Sequence, residues 1–111
     1  MVEAKLFRAL GDPTRLEMVK RLSVGEAHTI TSVLSGLKIS RQGARKHLQI
    51  LADAKVITLE PKGRDTSIRL KRDTLEHGKS FIAELERRWD KRLEALRQFV
   101  DDAGLSGAEG S

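Results

Sequence analysis

A mainly α-helical chain with one small β-hairpin and a long C-terminal helix is what this sequence predicts, on three observations. Apolar residues recur at helical spacing across residues 4–51 and again from Ile82 to Val100. Between them, Val56-Ile57-Thr58-Leu59 and Thr66-Ser67-Ile68-Arg69-Leu70 have strand character and flank the turn Pro61-Lys62-Gly63-Arg64-Asp65. Charge is segregated along the chain. Residues 38–72 carry ten Lys/Arg against three Asp/Glu, a net +7, while residues 1–37 net +1 and residues 73–111 net −3. A basic middle between a neutral start and an acidic end is the footprint of a polyanion binder.

Ala4 to Leu10 reads as a short helix with Leu6, Phe7 and Leu10 inward. Gly11-Asp12-Pro13 breaks and restarts the chain. Asp12 can cap the next helix, and Pro13 suits its first turn because that N–H needs no partner. Leu16, Val19 and Leu22 mark the inner face of this second helix, which ends near Ser23-Val24-Gly25. A third helix is expected from about Thr29 to Gly36, with Ile30, Val33 and Leu34 inward.

The most informative stretch is Ser40 to Leu51. Ala44, Leu48 and Leu51 fall at i, i+4 and i+7, one apolar stripe. Arg41, Gln42, Arg45, Lys46 and Gln49 fall on the other side, which carries long donors and no acid. Ser40 sits where an N-cap belongs. Such a helix suits a DNA major groove, where Arg pairs with guanine and Gln with adenine. A solvated basic face would look the same in isolation. A preceding helix and a short turn containing Gly36 make the pair a helix-turn-helix. The hairpin that follows is a wing, with Lys62 and Arg64 at its tip to meet phosphates or a minor groove. The DNA-facing set is therefore Ser40, Arg41, Gln42, Arg45, Lys46, Gln49, Lys62 and Arg64. In it, Gln42 and Arg45 read bases, while Arg41 and Lys46 hold phosphates.

Asp73 and Glu76 resemble a capping box at the start of the last helix, which runs to about Asp101. Ile82, Leu85, Trp89, Leu93, Leu96 and Val100 step by helical intervals, widened by Leu75, Phe81 and Phe99. About 28 residues at ~1.5 Å rise give a rod near 40 Å, longer than so small a domain can cover. The expected cover is the same helix of a second subunit. Leu6, Phe7, Ile82, Leu85, Trp89, Leu93 and Leu96 are the expected dimer-interface residues. Residues 1–102 are expected to form one winged helix-turn-helix domain with its dimerisation helices, and 103–111 a disordered tail.

These pieces resemble the ArsR/SmtB family of bacterial winged-helix repressors. The resemblance rests on Leu6-Phe7-Arg8-Ala9-Leu10-Gly11-Asp12-Pro13-Thr14-Arg15-Leu16, on Ser40 to Leu51 with its His47-Leu48 pair, on Ala54-Lys55-Val56-Ile57 and on Gly63-Arg64. It covers about residues 4–72, and it implies a homodimer that binds an inverted-repeat operator in double-stranded DNA, usually as a repressor. The founding members carry a Cys-x-Cys ligand set on the third helix. The matching stretch here, Ala27 to Ser32, has no thiol, and the whole chain has no Cys. Some members bind zinc through Asp, His and Glu of the last helix. Asp73, His77 and Glu84 offer those elements, without the second His the family spacing wants.

The expected function is thus a sequence-specific, metal-independent repressor, with no cofactor. A zinc sensor built on the last helix and a sequence-tolerant architectural DNA binder are the alternatives. A small-molecule effector, if one exists, would bind beside Trp89, Phe81 and Phe99, where it could bias the dimer. His47, on the rim of the Ala44 stripe, is expected to bond a neighbouring backbone group. No Ser/His/Asp set, thiol, phosphate-cradling Gly loop or isolated carboxylate pair is present, so an enzyme is not expected. No apolar run approaches the ~20 residues of a membrane span, and a cytoplasmic protein is expected.

Overall fold

The computed structural model describes residues 2–25 and 28–104. The tail expected at 103–111 lies outside this range from Leu105 onward. The chain divides into two units, one ending at Gly78 and the other beginning at Lys79.

In the first unit, α1 (Val2–Leu10) and α2 (Pro13–Leu22) are joined by Gly11-Asp12. The Asp12 carboxylate accepts the Arg15 backbone N–H at 3.0 Å, and Pro13 occupies the first turn, as the restart chemistry requires. The buried face of α2 is Met18 and Leu22, with Val19 beside them. Leu16, expected inward, is exposed. The buried pair is Met18 and Leu22, one turn apart, and Arg15 lies on the same side, its side chain bonding α1 and the helix that carries His47. Leu16 falls off that face.

A strand the sequence did not announce, β1 (His28–Thr29), precedes α3 (Ile30–Leu34). Thr29 and Ser32 form a reciprocal capping box at the start of α3. The Arg21 guanidinium reaches from α2 to the carbonyls of Val33, at 3.1 Å, and Ser35, satisfying the end of that short helix. Gly36 at φ 81° turns the chain toward α4 (Arg41–Asp53). Ala44, Leu48 and Leu51 of α4 are each at most 1% exposed, and α4 packs on α1, α2, α3 and the first hairpin strand.

The end of α4 is a Schellman motif. Val56 N–H bonds Leu51 C=O and Lys55 N–H bonds Ala52 C=O, both at 2.9 Å, while Lys55 sits at φ 62°. Glycine is the usual residue there. Lysine is held because Leu51 and Val56 are both fully buried across the motif.

The hairpin is β2 (Ile57–Lys62) and β3 (Asp65–Leu70). Its turn is tighter than expected. Pro61, Lys62 and Asp65 belong to the strands, Lys62 faces Asp65, and only Gly63 and Arg64 lie between. Gly63 at φ 61° gives the first central residue a mirror-image turn conformation, which matches strand twist. The sheet order is β1-β3-β2, so Pro61 lies on an edge strand where its missing N–H costs no ladder bond.

The last helix, α5, is Arg72–Asp102. Asp73 falls inside its first turn rather than at the cap. Thr74 and Gly78 are its buried residues. A Cβ at Gly78 would stand 2.5 Å from Leu6 Cδ2, so glycine is what lets α1 approach. Leu6, expected at a subunit boundary, is 1% exposed and spends its side chain on this intrachain contact. Phe7, at 36%, is the more exposed neighbour on α1.

The second unit contributes the part of α5 from Lys79 onward. Ile82, Leu85, Trp89, Leu93, Leu96 and Phe99 are all exposed there. Glu84 pairs with Arg87 and with Arg88 at 3.6 Å, and Glu94 with Arg97 at 3.9 Å, one or nearly one turn apart along the helix. No described helix is long and apolar enough to cross a membrane.

Candidate nucleic-acid interface

The recognition face starts from its cap. The Ser40 hydroxyl accepts the Gly43 N–H at 3.0 Å and so fixes where α4 begins. A Cβ at Gly43 would meet that hydroxyl at 3.2 Å, so the glycine fits the cap. With the 44–48–51 stripe locked in the core, Arg41, Gln42, Arg45, Lys46 and Gln49 all emerge on the exposed side. The side chains of Gln42, Arg45 and Lys46 make no hydrogen bond or ion pair with any described residue. Their donors are therefore uncommitted. Gln49 is engaged, its Nε2 donating to Asp53 Oδ1 at 2.9 Å one turn on.

Arg41 is engaged more fully. Its Nη2 lies 3.0 Å from Asp65 Oδ1, at the start of β3, and its Nη1 donates to Thr31 Oγ1 at 3.2 Å. Thr31 in turn donates to Asp65 Oδ2 at 2.7 Å, and Thr66 N–H donates to Asp65 Oδ1 at 2.8 Å. The Thr31 hydroxyl, then the Thr66 N–H, and Arg41 further down, hold the Asp65 carboxyl down to about 2. Three elements, α3, α4 and the wing, thus meet on one carboxylate. At the wing tip, Lys62 and Arg64 are exposed and their side chains have no hydrogen-bond or ion-pair partner among the described residues.

A second cluster lies behind the helix. Arg15 Nε donates to Ala9 C=O at 2.6 Å and Nη2 to Arg8 C=O at 3.4 Å, filling the open carbonyl end of α1. Arg15 Nη1 lies 3.1 Å from His47 Nδ1. A guanidinium only donates, so His47 Nδ1 is the acceptor in this contact. The partner of His47 is thus this side chain, not the backbone group expected. Asp12 Oδ2 stands 3.9 Å from the same nitrogen. The Arg15 N–H, more than any other group, holds the Asp12 carboxyl below its usual range. Arg15, Thr31 and Asp65 escaped sequence reasoning, because each acts through a partner 10 to 34 positions away. Arg15 at least stood inside the family-like opening signature.

Two of the three elements that the alternative zinc reading drew on in the last helix, His77 and Glu84, have other partners. His77 Nε2 is 3.2 Å from Glu3 Oε1, and Glu84 is paired with Arg87 and Arg88. Among the described residues, no three His, Asp or Glu side chains are grouped to hold a metal ion.

Residues 10–60 match the family model of a helix-turn-helix domain. A 60-residue stretch is 32% identical to an uncharacterized HTH-type transcriptional regulator of Methanocaldococcus jannaschii, covering 54% of this chain and 67% of that one. Among solved structures, an ArsR-like transcriptional regulator from Rhodococcus sp. RHA1 superposes with a TM-score of 0.75 at 29% identity, over 88% of this chain and 92% of that one. A second, described as an ArsR family transcriptional regulator, gives 0.73 at 25% identity over 78% and 89%.

Proposed function

This chain belongs to the ArsR family of winged helix-turn-helix transcriptional regulators, DNA-binding proteins and not enzymes, and from that premise we propose that it is a homodimeric, operator-specific repressor. The observation that carries the reading is the outer face of α4. Gln42 and Arg45 stand exposed with uncommitted donors on a helix whose opposite face is locked in the core. Such side chains can form bidentate bonds to adenine and guanine edges, each pair worth roughly 1–3 kcal/mol of discrimination. Lys46, Lys62 and Arg64 supply phosphate contacts on either side of them, and Ser40 fixes their register through the cap.

Two-fold pairing through the exposed α5 stripe would present two such helices to successive major grooves, about 34 Å apart, and so select an inverted repeat. The protein acts in the cytoplasm, where the chromosome is. Binding on this reading needs no metal, a reading supported by the absence of Cys from the chain and of a second His from the last helix. A sequence-tolerant architectural binder would have no use for Gln42 and Arg45 as paired base readers.

The experiment is recovery of genomic DNA fragments bound in cells, followed by affinity measurements on the shared motif. The reading expects an inverted repeat that survives a large excess of random DNA, with a chelator changing affinity by no more than a few-fold. Arg45→Ala should cost about 1–3 kcal/mol on the motif and relax preference at one base position. Equal loss on motif and random DNA would make Arg45 a phosphate contact and remove the base-reading assignment.

A further inference from the structure

We propose that Asp65 is a specificity-determining residue, holding the Arg41 guanidinium in place of a DNA phosphate and yielding it only to the backbone of a fully seated operator. The inference deepens the proposed function and rests on α4 being the DNA-reading helix.

The geometry separates Arg41 from the other cations of the face. Arg45, Lys46, Lys62 and Arg64 are free, so any duplex can draw on their charge. Arg41 already faces an anion that offers a guanidinium the same kind of oxygen acceptors a phosphate does. That anion is itself built in. Asp65 Oδ1 takes the Thr66 N–H and Oδ2 the Thr31 hydroxyl, so the carboxylate keeps its position and its charge at every physiological pH.

The pair lies at the surface, with side-chain exposures of 44% and 25%. Exposed ion pairs of this kind are weak. Exchange of Asp65 for a phosphate is therefore close to balanced, and a small gain from correct seating decides it. On random DNA, where the helix is held loosely by free cations, Arg41 stays on Asp65. On the operator, base contacts from Gln42 and Arg45 fix the first turns of α4, and a phosphate takes Asp65's place. Arg41 is at the first position of α4 and Asp65 at the first position of β3, so the exchange also removes one tie between the helix and the wing.

The test is a double-mutant cycle. Wild type, Asp65→Asn, Arg41→Gln and the double variant are titrated at several salt concentrations against a random-sequence duplex and against the recovered operator. Freeing Arg41 in Asp65→Asn should add one phosphate contact on random DNA. The slope of log K against log salt should steepen by about 0.9, and random-DNA affinity should rise several-fold while operator affinity rises less. The gain should vanish in the Arg41→Gln background. Arg41→Gln alone should weaken operator binding more than random-DNA binding.

A gain that persists without Arg41 would be general relief of negative charge and overturns the proposal. Unchanged slopes in Asp65→Asn would leave Asp65 a strut between wing and helix, which also overturns it. Thermal melting checks each variant. Should Asp65→Asn fail to fold, Thr31→Val loosens the carboxylate without removing charge and should shift random-DNA affinity the same way; no shift counts against the proposal. A wild type that binds duplex normally while these variants stay silent indicts Asp65 alone. A wild type without preference for any recovered sequence indicts the underlying function.

Discussion

Two apolar stripes of similar spacing have opposite fates in this chain. Ala44, Leu48 and Leu51 of α4 are sealed by their own chain. Ile82, Leu85, Trp89, Leu93 and Leu96 of α5 step along their helix just as regularly and remain 45–60% exposed. Helical periodicity says that a face is apolar, and it does not say what covers it. The α4 stripe is short, and four neighbouring elements close over it. The α5 stripe runs through a stretch with no such neighbours in its own unit. An exposed apolar stripe of this kind is what a partner surface would cover. On the proposed account its cover is a second copy, so one stripe stabilises the fold and the other controls the association state.

The sharpest way to break the contrast is to charge each stripe in turn. Leu85→Asp should abolish the dimer. Two-fold symmetry removes the side chain twice, and at roughly 1.5–3 kcal/mol per buried side chain the association constant should fall by about 10²–10⁴-fold. The helix-turn-helix unit should stay folded, as near-native amide shifts for α4 would show. Loss of those shifts would mean that the α5 stripe also holds the fold. Leu51→Ala should do the reverse. It should cost about 2–5 kcal/mol of unfolding free energy, independent of protein concentration. A concentration-dependent loss in denaturant titrations would tie the α4 core to dimerisation.

Gly78 sits where the first unit ends, and it sharpens the comparison. Gly78→Ala drives a methyl toward the buried Leu6. It should destabilise the first unit by about 1–3 kcal/mol even though alanine favours helix. A neutral or stabilising outcome would show that Leu6 can move aside.

Much of the α4 region was legible because its signals are local. The Ser40 cap, the 44–48–51 stripe and the Asp12-Pro13 restart each involve residues within a few positions, and each stands where local chemistry put it. The misses come from partners far away in sequence. Leu16 looked inward by spacing, but the core closes on Met18 and Leu22 instead, and Arg41 looked free until the wing brought Asp65 to it. β1 is two residues long and exists only because β3 pairs with it. Lys55 carried no glycine signal for its left-handed turn. The smallest expected effect follows from that residue: Lys55→Gly should raise stability by up to about 1 kcal/mol, read as a higher melting temperature. A drop would mean that the lysine side chain contributes contacts of its own.

The claim that most of this rests on is that the exposed α5 stripe is covered by a second copy. Sedimentation equilibrium of the wild type at micromolar concentration tests it most directly. The account predicts a mass twice the 12.4 kDa of one chain, returning to a single-chain mass in Leu85→Asp. A wild type that sediments as one chain and still protects a two-turn inverted repeat would contradict it.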